Sequence, residues 1–575
     1  MRAKAIPSPL PDVLLAAAGS LTLSACGGGG GGEAAPGPAP PPTNSPPPAP
    51  PISEVEAARF LLQSQFAAPD ADIATLRAQG YDAWLNASYA AAPGQTGAAW
   101  LTSRNHDAIT AAMTYFLSMA GDHMIWNQLL TGPDQMRKRV ALALSEYFVV
   151  SLNAIDGFHP AYVIAAYWDL LTASAFGNFR TLLEKVTLNL AMGMYLNTKG
   201  NLKEDLTTGR QPDENYAREV MQLFTIGLYE LNTDGTAKTD TAGNPIETYK
   251  QSDISNLARV FTGYDIDFSR VRWAPVTWHD YPVPGTEFAS DPMRLNPANH
   301  STLEVRFLGA TIPANTSGAD ALRLALDIIF RHPNVGPFFA RQMIQRLVTS
   351  NPSPAYVGRV AQAFANNGAG VRGDLKAVWT AILTDAEARA APDATQTTRG
   401  KLREPIVRLV QWARTVGTTS ATGAYELYDL TPNDFGIGQS PLRAPSVFNF
   451  FRPGYVPPNT GIAAAARQAP EFQLHNETTT AGYINFMEWM TSGAYQDVLP
   501  GYAALLPLAH DPPALLAWLN LRLAANQVSA ATLSRMQVAL TTLEVTANST
   551  EAAKKSLAAY ACLLILACPE YLIQK

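Results

Sequence analysis

The sequence predicts a mainly α-helical fold: a large multi-helix globular body with a small hairpin and a long irregular insertion. Three observations predict it. Apolar residues return at helical spacing through most of the chain beyond residue 53. Hydrophobic residues make up 47% against 16% charged, enough for a sizeable core. Within the body, turn signals and extended runs concentrate at residues 232–249 and 265–315. At 575 residues the body can be one large domain or two closely packed lobes.

The N-terminus reads as a targeting segment, residues 1–26. Arg2 and Lys4 give a positive start and Val13–Leu23 a short apolar stretch. Leu23-Ser24-Ala25-Cys26 is similar to a bacterial lipobox, with Cys26 as the lipidated first residue of the mature chain. An ordinary signal peptide cut near Ala25 is the alternative; the Cys at the cleavage point favours the lipoprotein. Several acyl chains on one Cys suffice for stable anchoring. Gly27, rather than Asp, follows the Cys, which by resemblance to Gram-negative sorting favours the outer membrane. Residues 27–52 form a linker, six glycines and then mostly prolines, flexible first and stiff after.

The folded body is expected over 53–575. Ser53 and Glu56 make a capping box for the first helix. Further helices are expected at Ile73–Gln79, Tyr81–Ala90, Ala108–Ala120, Asp122–Leu130, Pro133–Val150, Ala161–Ser174 and Phe179–Asn189. Pro212 and Asp213 open the next helix and Gly227 stops it. Ala217, Val220, Met221 and Phe224 form one apolar face, and Tyr216, Leu223 and Ile226 place large side chains on the other sides. A helix apolar nearly all round is buried. It nevertheless carries Glu214, Asn215, Arg218 and Glu219, so these charges are expected in a paired network. Glu214 and Arg218 stand one turn apart, and Arg259 is the expected partner of Glu219. A hairpin follows at Asn232–Tyr249 with turns at Asp234-Gly235 and Gly243-Asn244, then a helix from Ser252 or Asp253 that ends at Gly263.

Two stretches, ENYAREVMQLFTIG and then QSDI-x-NLARVFTGY, closely resemble the signature of the bacterial domain-of-unknown-function family eighteen hundred. HPNVGPFFARQMIQRLVTSNPSPAYVGRVAQAF, KLREPIVRLVQWAR and SPLRAPSVFNFFRPGY fit it as well, so the resemblance runs from about Ser53 onward. It implies no particular reaction. The family's pattern usually has a Trp-His-Asn-His-Phe run in the helix ending near Val150. Here the matching residues are Leu144-Ser145-Glu146-Tyr147-Phe148, both histidines are missing, and no metal or acid–base role built on them carries over.

From Asp265 to Asn315 the chain is expected to be irregular, with Trp273, Trp278, His279, Asp280 and His300. Helices resume at Ala319–Phe330, Pro333–Thr349, Ala355–Asn366, Gly373–Ala388 and Lys401–Val416, and the stretch from Asn485 to Leu566 is again largely helical. Between them Pro441–Tyr455 is rich in aromatics and arginine; it reads as a loop packed on the core, or else as a groove for sugars or peptides. Cys562 and Cys568 are read as buried apolar residues and not a disulfide.

Standard catalytic signatures are absent from the sequence: there is no nucleophile elbow, no His-Glu-x-x-His, no P-loop and no dinucleotide turn. Glu471 with His475 and Glu477, and Asn232 with Asp234 and Asp240, are weak hints of a metal; no metal site and no cofactor is assigned. A net charge of −6 with scattered Lys and Arg gives no reason to expect nucleic acid. Two functions remain. One is a scaffold or assembly partner at the cell envelope, exported and held at the outer membrane or in the periplasm through lipid at Cys26. The other is an envelope hydrolase on an exported polymer, with Glu214, Glu219, Asp253, His279 and His300 as candidate catalytic residues.

Overall fold

Capping chemistry decides where the chain turns. In this computed structural model, which describes residues 51–110, 113–279, 281–391 and 399–575, Ser53 Oγ accepts from the Glu56 N–H at 3.2 Å and opens the Glu54–Ser64 helix. Gly80 (φ 81°) breaks Asp70–Ala90 into the two helices expected on either side of it. Ser317, Ser353, Asp374, Asn476, Asp511, Ser529 and Thr550 cap later helices through side-chain oxygens. The targeting segment and nearly all of the linker, Cys26 included, lie outside the described residues.

Helix accounts for 51% of the chain, whereas the strands form only two-stranded antiparallel pairs, so the protein is mainly α. Pro51–Lys575 is one compact unit with one continuous apolar core running from Ala57 to Tyr571. The Pro160–Ser174 helix packs on Gly97–Ser103, Met119–Thr131 and Gln135–Ser145. Val335–Leu347 packs on Pro354–Ala365 and Leu375–Thr384. The rings of Phe148, Phe179, Phe339, Phe364 and Trp379 meet between these groups, with centroids 4.9–6.0 Å apart.

Glu477–Ser492 packs on Glu551–Ala567, and Pro512–Ala524 packs on Glu551–Ala567 and on the first helix, Glu54–Ser64. Arg522 on Pro512–Ala524 ion-pairs with Asp70 and lies over its own neighbour Trp518. Near the end of the chain Ile573–Gln574 pairs with Lys401–Leu402.

The structure departs from the expected elements in several places, and the helix expected over Asp213–Gly227 is shorter, Asn215–Gln222. No α-helix forms at residues 108–110 or 113–118; a 3₁₀ turn at Thr114–Phe116 precedes the helix that starts at Met119. The Pro133–Val150 helix is shorter, Gln135–Ser145, because Glu146 closes it and Tyr147 and Phe148 turn into the core. Lys401 lies in a strand; the helix expected to begin there starts at Pro405. The long insertion is held by three strand pairs: Tyr264–Asp265 with Arg294–Leu295, Trp273–Trp278 with Tyr281–Pro284, and Val305–Phe307 with Ala310–Ile312. The Asn232–Tyr249 hairpin forms with both expected turns. Arg443 clamps Asp122 through two bonds of 2.8 and 2.6 Å, so Pro441–Tyr455 packs onto the body.

Candidate functional site

The Asn215–Gln222 helix buries Tyr216, Ala217, Val220 and Met221 and turns Arg218 partly outward, its side chain 38% exposed. Arg218 Nη2 stands 3.2 Å from Glu214 Oε2, the pair one helical turn implies. The Gln251–Ala258 helix completes this network. Gln251 Nε2 donates to Glu214 Oε2 at 2.7 Å, Ser255 Oγ to Glu214 Oε1 at 2.5 Å, and Arg218 to Gln251 Oε1 at 3.3 Å. Asn215 opens the helix, its N–H donating to Asp213 Oδ1 at 2.8 Å.

The rest of the expected network is not there. Arg259 donates to Asn256 Oδ1 and to the Glu304 carbonyl, both at 2.9 Å, and not to Glu219. Arg259 ends its helix, and its side chain reaches the insertion that returns at Glu304, a neighbour helical spacing does not foretell. Glu219 is 7% exposed with Oε2 unpartnered; burial pushes its carboxyl up, and Arg218 opposes this only in part.

The other candidates stand apart from Glu214 and Glu219. Asp253 accepts from the Lys250 N–H at 2.7 Å and from the Leu308 N–H at 3.0 Å, fixing a helix start and the insertion together. Its helix begins at Gln251, so Asp253 sits in the first turn and not at the cap. His300 is buried, with Nδ1 3.0 Å from the Thr262 carbonyl. His279 stands at the tip of the Trp273–Pro284 hairpin with its ring against Trp278. No hydrogen bond joins either histidine to Glu214, Glu219 or Asp253 among the described residues. Asp234 and Asp240 cap their own turns. His475 faces Phe472 and Thr480, while Glu471 turns inward. No group of three or more His, Cys, Asp or Glu is placed to hold a metal among the described residues.

The most perturbed charges lie elsewhere. Glu146, Glu404 and Glu471 are buried together with Lys401, Arg139 and Arg346. Lys401 Nζ stands 3.2 Å from Glu471 Oε1 and 3.3 Å from Glu404 Oε1, and it donates to the Arg346 carbonyl at 2.8 Å. Gln439 Nε2 donates to Glu404 Oε2 at 3.0 Å, and Ser350 Oγ to Glu471 Oε2 at 3.2 Å. Neither oxygen of Glu146 accepts from a described protein donor; its carboxyl faces that of Glu404, and Arg346 Nε is 3.9 Å away.

The two carboxyls are driven apart. Burial, then the charge of Glu404, pushes Glu146 well above the usual carboxylate range. Burial acts on Glu404 too, but Lys401, the neighbouring Glu146 carboxyl, Arg139 and Gln439 outweigh it and hold Glu404 at about 2. Burial raises Glu471, with Lys401 opposing. Glu146 also lines a cavity of about 10 Å3 with Gln439, Ser440 and Asn449, room for no more than a single water.

Sequence reasoning passed over this cluster. Glu146 stands inside the altered Leu144–Phe148 run and was read only as the loss of two histidines. Lys401 and Glu404 stand in KLREPIVRLVQWAR, which served only to carry the resemblance. Glu471 was weighed as a metal ligand. The usable signal was Glu146, a lone carboxyl within an otherwise apolar run.

The family model described as "Protein of unknown function (DUF1800)" matches residues 59–573. No curated protein and no solved structure matches the chain.

Proposed function

The chain belongs to the DUF1800 family, and from that premise we propose that it is an exported lipoprotein whose folded body acts as a scaffold or assembly partner at the cell envelope. One observation supports the scaffold reading above the rest: the charges of the signature stretch are used to join helices. Glu214 spends both oxygens on Arg218, Gln251 and Ser255, Asp253 spends both on backbone N–H groups, and Glu219 is buried. Glu214 and Asp253 are thus engaged within the protein, while Glu219 keeps Oε2 unpartnered in the interior. Export and anchoring rest on Cys26 and the apolar stretch before it. The net charge of −6 supports a partner other than nucleic acid.

Envelope hydrolysis is the competing reading, and the Glu146–Glu404 pair is what favours it, since paired carboxyls with opposite shifts are the usual acid–base arrangement. A cavity of about 10 Å3 admits no polymer, which sets this reading second.

Two experiments test the proposal. Palmitate labelling should be lost in Cys26→Ser; a variant still labelled and membrane-bound removes the lipoprotein. Glu214→Gln with Glu219→Gln should restore the envelope phenotype of a deletion strain as well as the parent does. A double variant that melts like the parent but fails to complement removes the scaffold and brings back the hydrolase.

A further inference from the structure

Beside the Lys401–Leu402 strand the body opens into a cavity of about 600 Å3, within the range of small-molecule sites. Its inner surface is apolar, from Leu402, Ile462, Ala465, Phe472 and Ile573. Its charged lining is of one sign. Arg399, Lys401, Arg467 and Lys575 contribute, and no Asp or Glu side chain does. Lys401 is already held by Glu404 and Glu471. Arg467 is exposed and has no carboxylate within ion-pair distance among the described residues.

One polar group in this wall is fixed in advance. Gln468 is tied by two bonds with Asn351: its N–H donates to Asn351 Oδ1 at 2.9 Å, and Asn351 Nδ2 donates to its carbonyl at 2.7 Å. Its Oε1 accepts from Gln345 at 3.2 Å and Arg341 at 3.4 Å. Both neighbours are donors, so the amide is oriented with oxygen toward them. Its Nε2 is left with no protein acceptor among the described residues.

An apolar chamber with cationic side chains and no carboxylate side chain selects its ligand by charge and shape. We propose that this cavity binds an amphipathic anion, a molecule with an apolar body and one carboxylate or phosphate head. The apolar body fills the space over Ile462, Ala465 and Phe472. The head meets Arg467 at the mouth. This goes beyond the scaffold reading and does not depend on the lipid at Cys26.

The test uses the full chain and two probes of nearly the same ring body. 1-Anilinonaphthalene-8-sulfonate carries an anion and N-phenyl-1-naphthylamine carries none. The sulfonate should saturate one site with a fluorescence rise, and the neutral probe should bind about tenfold more weakly. Arg467→Glu should weaken the sulfonate by about tenfold or more without changing the neutral probe. Ala465→Trp, which fills the chamber, should abolish both. Laurate or dodecyl phosphate should displace the sulfonate, and the stronger competitor identifies the head. Equal binding of the two probes, an unchanged Arg467→Glu, or failure of both competitors overturns the proposal.

Discussion

Lys401 Nζ stands 3.2 Å from Glu471 Oε1, joining a strand to the 470–474 turn where water is excluded. The same ammonium holds Glu404, so one cation balances two carboxylates. Removing it takes the ion pair from both in the low-dielectric interior and leaves them the more distant charges of Arg139 and Arg346. Lys401→Met should cost roughly 3–5 kcal/mol. Urea denaturation measures this; a midpoint equal to the parent's would remove the lysine from the stability of the core.

Glu146 and Glu404 should respond to pH in opposite directions. Glu146 is raised in the fold, so its contribution is fully present below the unfolded carboxyl value, about 4.3, and is lost as pH rises. Glu146→Gln has no carboxyl to titrate and escapes that loss. It should melt higher than the parent at pH 8 and alike near pH 4. Glu404 is depressed to about 2, so its contribution is present above about 4.3 and lost as pH falls toward 2. Glu404→Gln should be most destabilised near pH 7. Calorimetry across pH reads both, and parallel curves for parent and variants would refute the proton assignment.

Arg218→Ala should cost about 0–1 kcal/mol, because its ion pair with Glu214 is half exposed and screened. Glu214→Ala should cost more, since Gln251 and Ser255 lose their acceptor with it. Thermal melts of the two variants test the order; a larger loss for Arg218→Ala would reverse it.

Gly227 has φ 72°, and a Cβ there would stand 2.7 Å from a ring carbon of Phe338. Gly227→Ala combines left-handed strain of about 1–2 kcal/mol with that clash. Loss of stability should follow, and adding Phe338→Ala should recover the part due to the ring. A double variant no better than Gly227→Ala alone would leave the backbone as the whole cause.

Cys562 and Cys568 are buried as free thiols, and burial raises Cys562 to about 12. In Cys26→Ser, a disulfide-exchange reagent should find no thiol in the folded protein and two after denaturation. Fast reaction under native conditions would contradict the buried placement.

Much of the fold was legible because periodicity and caps are local. Ser53, Gly80 and the Asp234-Gly235 turn behave as their neighbours in sequence require, whereas the helix expected to stop at Gly227 ends at Gln222. The site was legible only where its partners lie one turn apart, as Glu214 and Arg218 do. Arg259 finds Glu304 across 45 residues, and Lys401 finds Glu471 across 70. Such pairings depend on how helices stack, which no periodicity contains. The 215–222 helix is amphipathic rather than apolar nearly all round: Asn215, Arg218 and Gln222 lie on a part-exposed side, whereas Glu219 is buried with Oε2 unpartnered.

Arg522 reaches back 452 residues to Asp70, and the helix that carries it covers Glu54–Ser64. The ribosome therefore delivers the first helices long before their cover exists. Closing contacts of such sequence separation is slow. Throughout synthesis the early segments remain open to chaperones, and premature collapse onto a finished core is denied them. Under the export proposed above, this wiring would act as a timer, leaving the early helices uncovered until the distal half has followed.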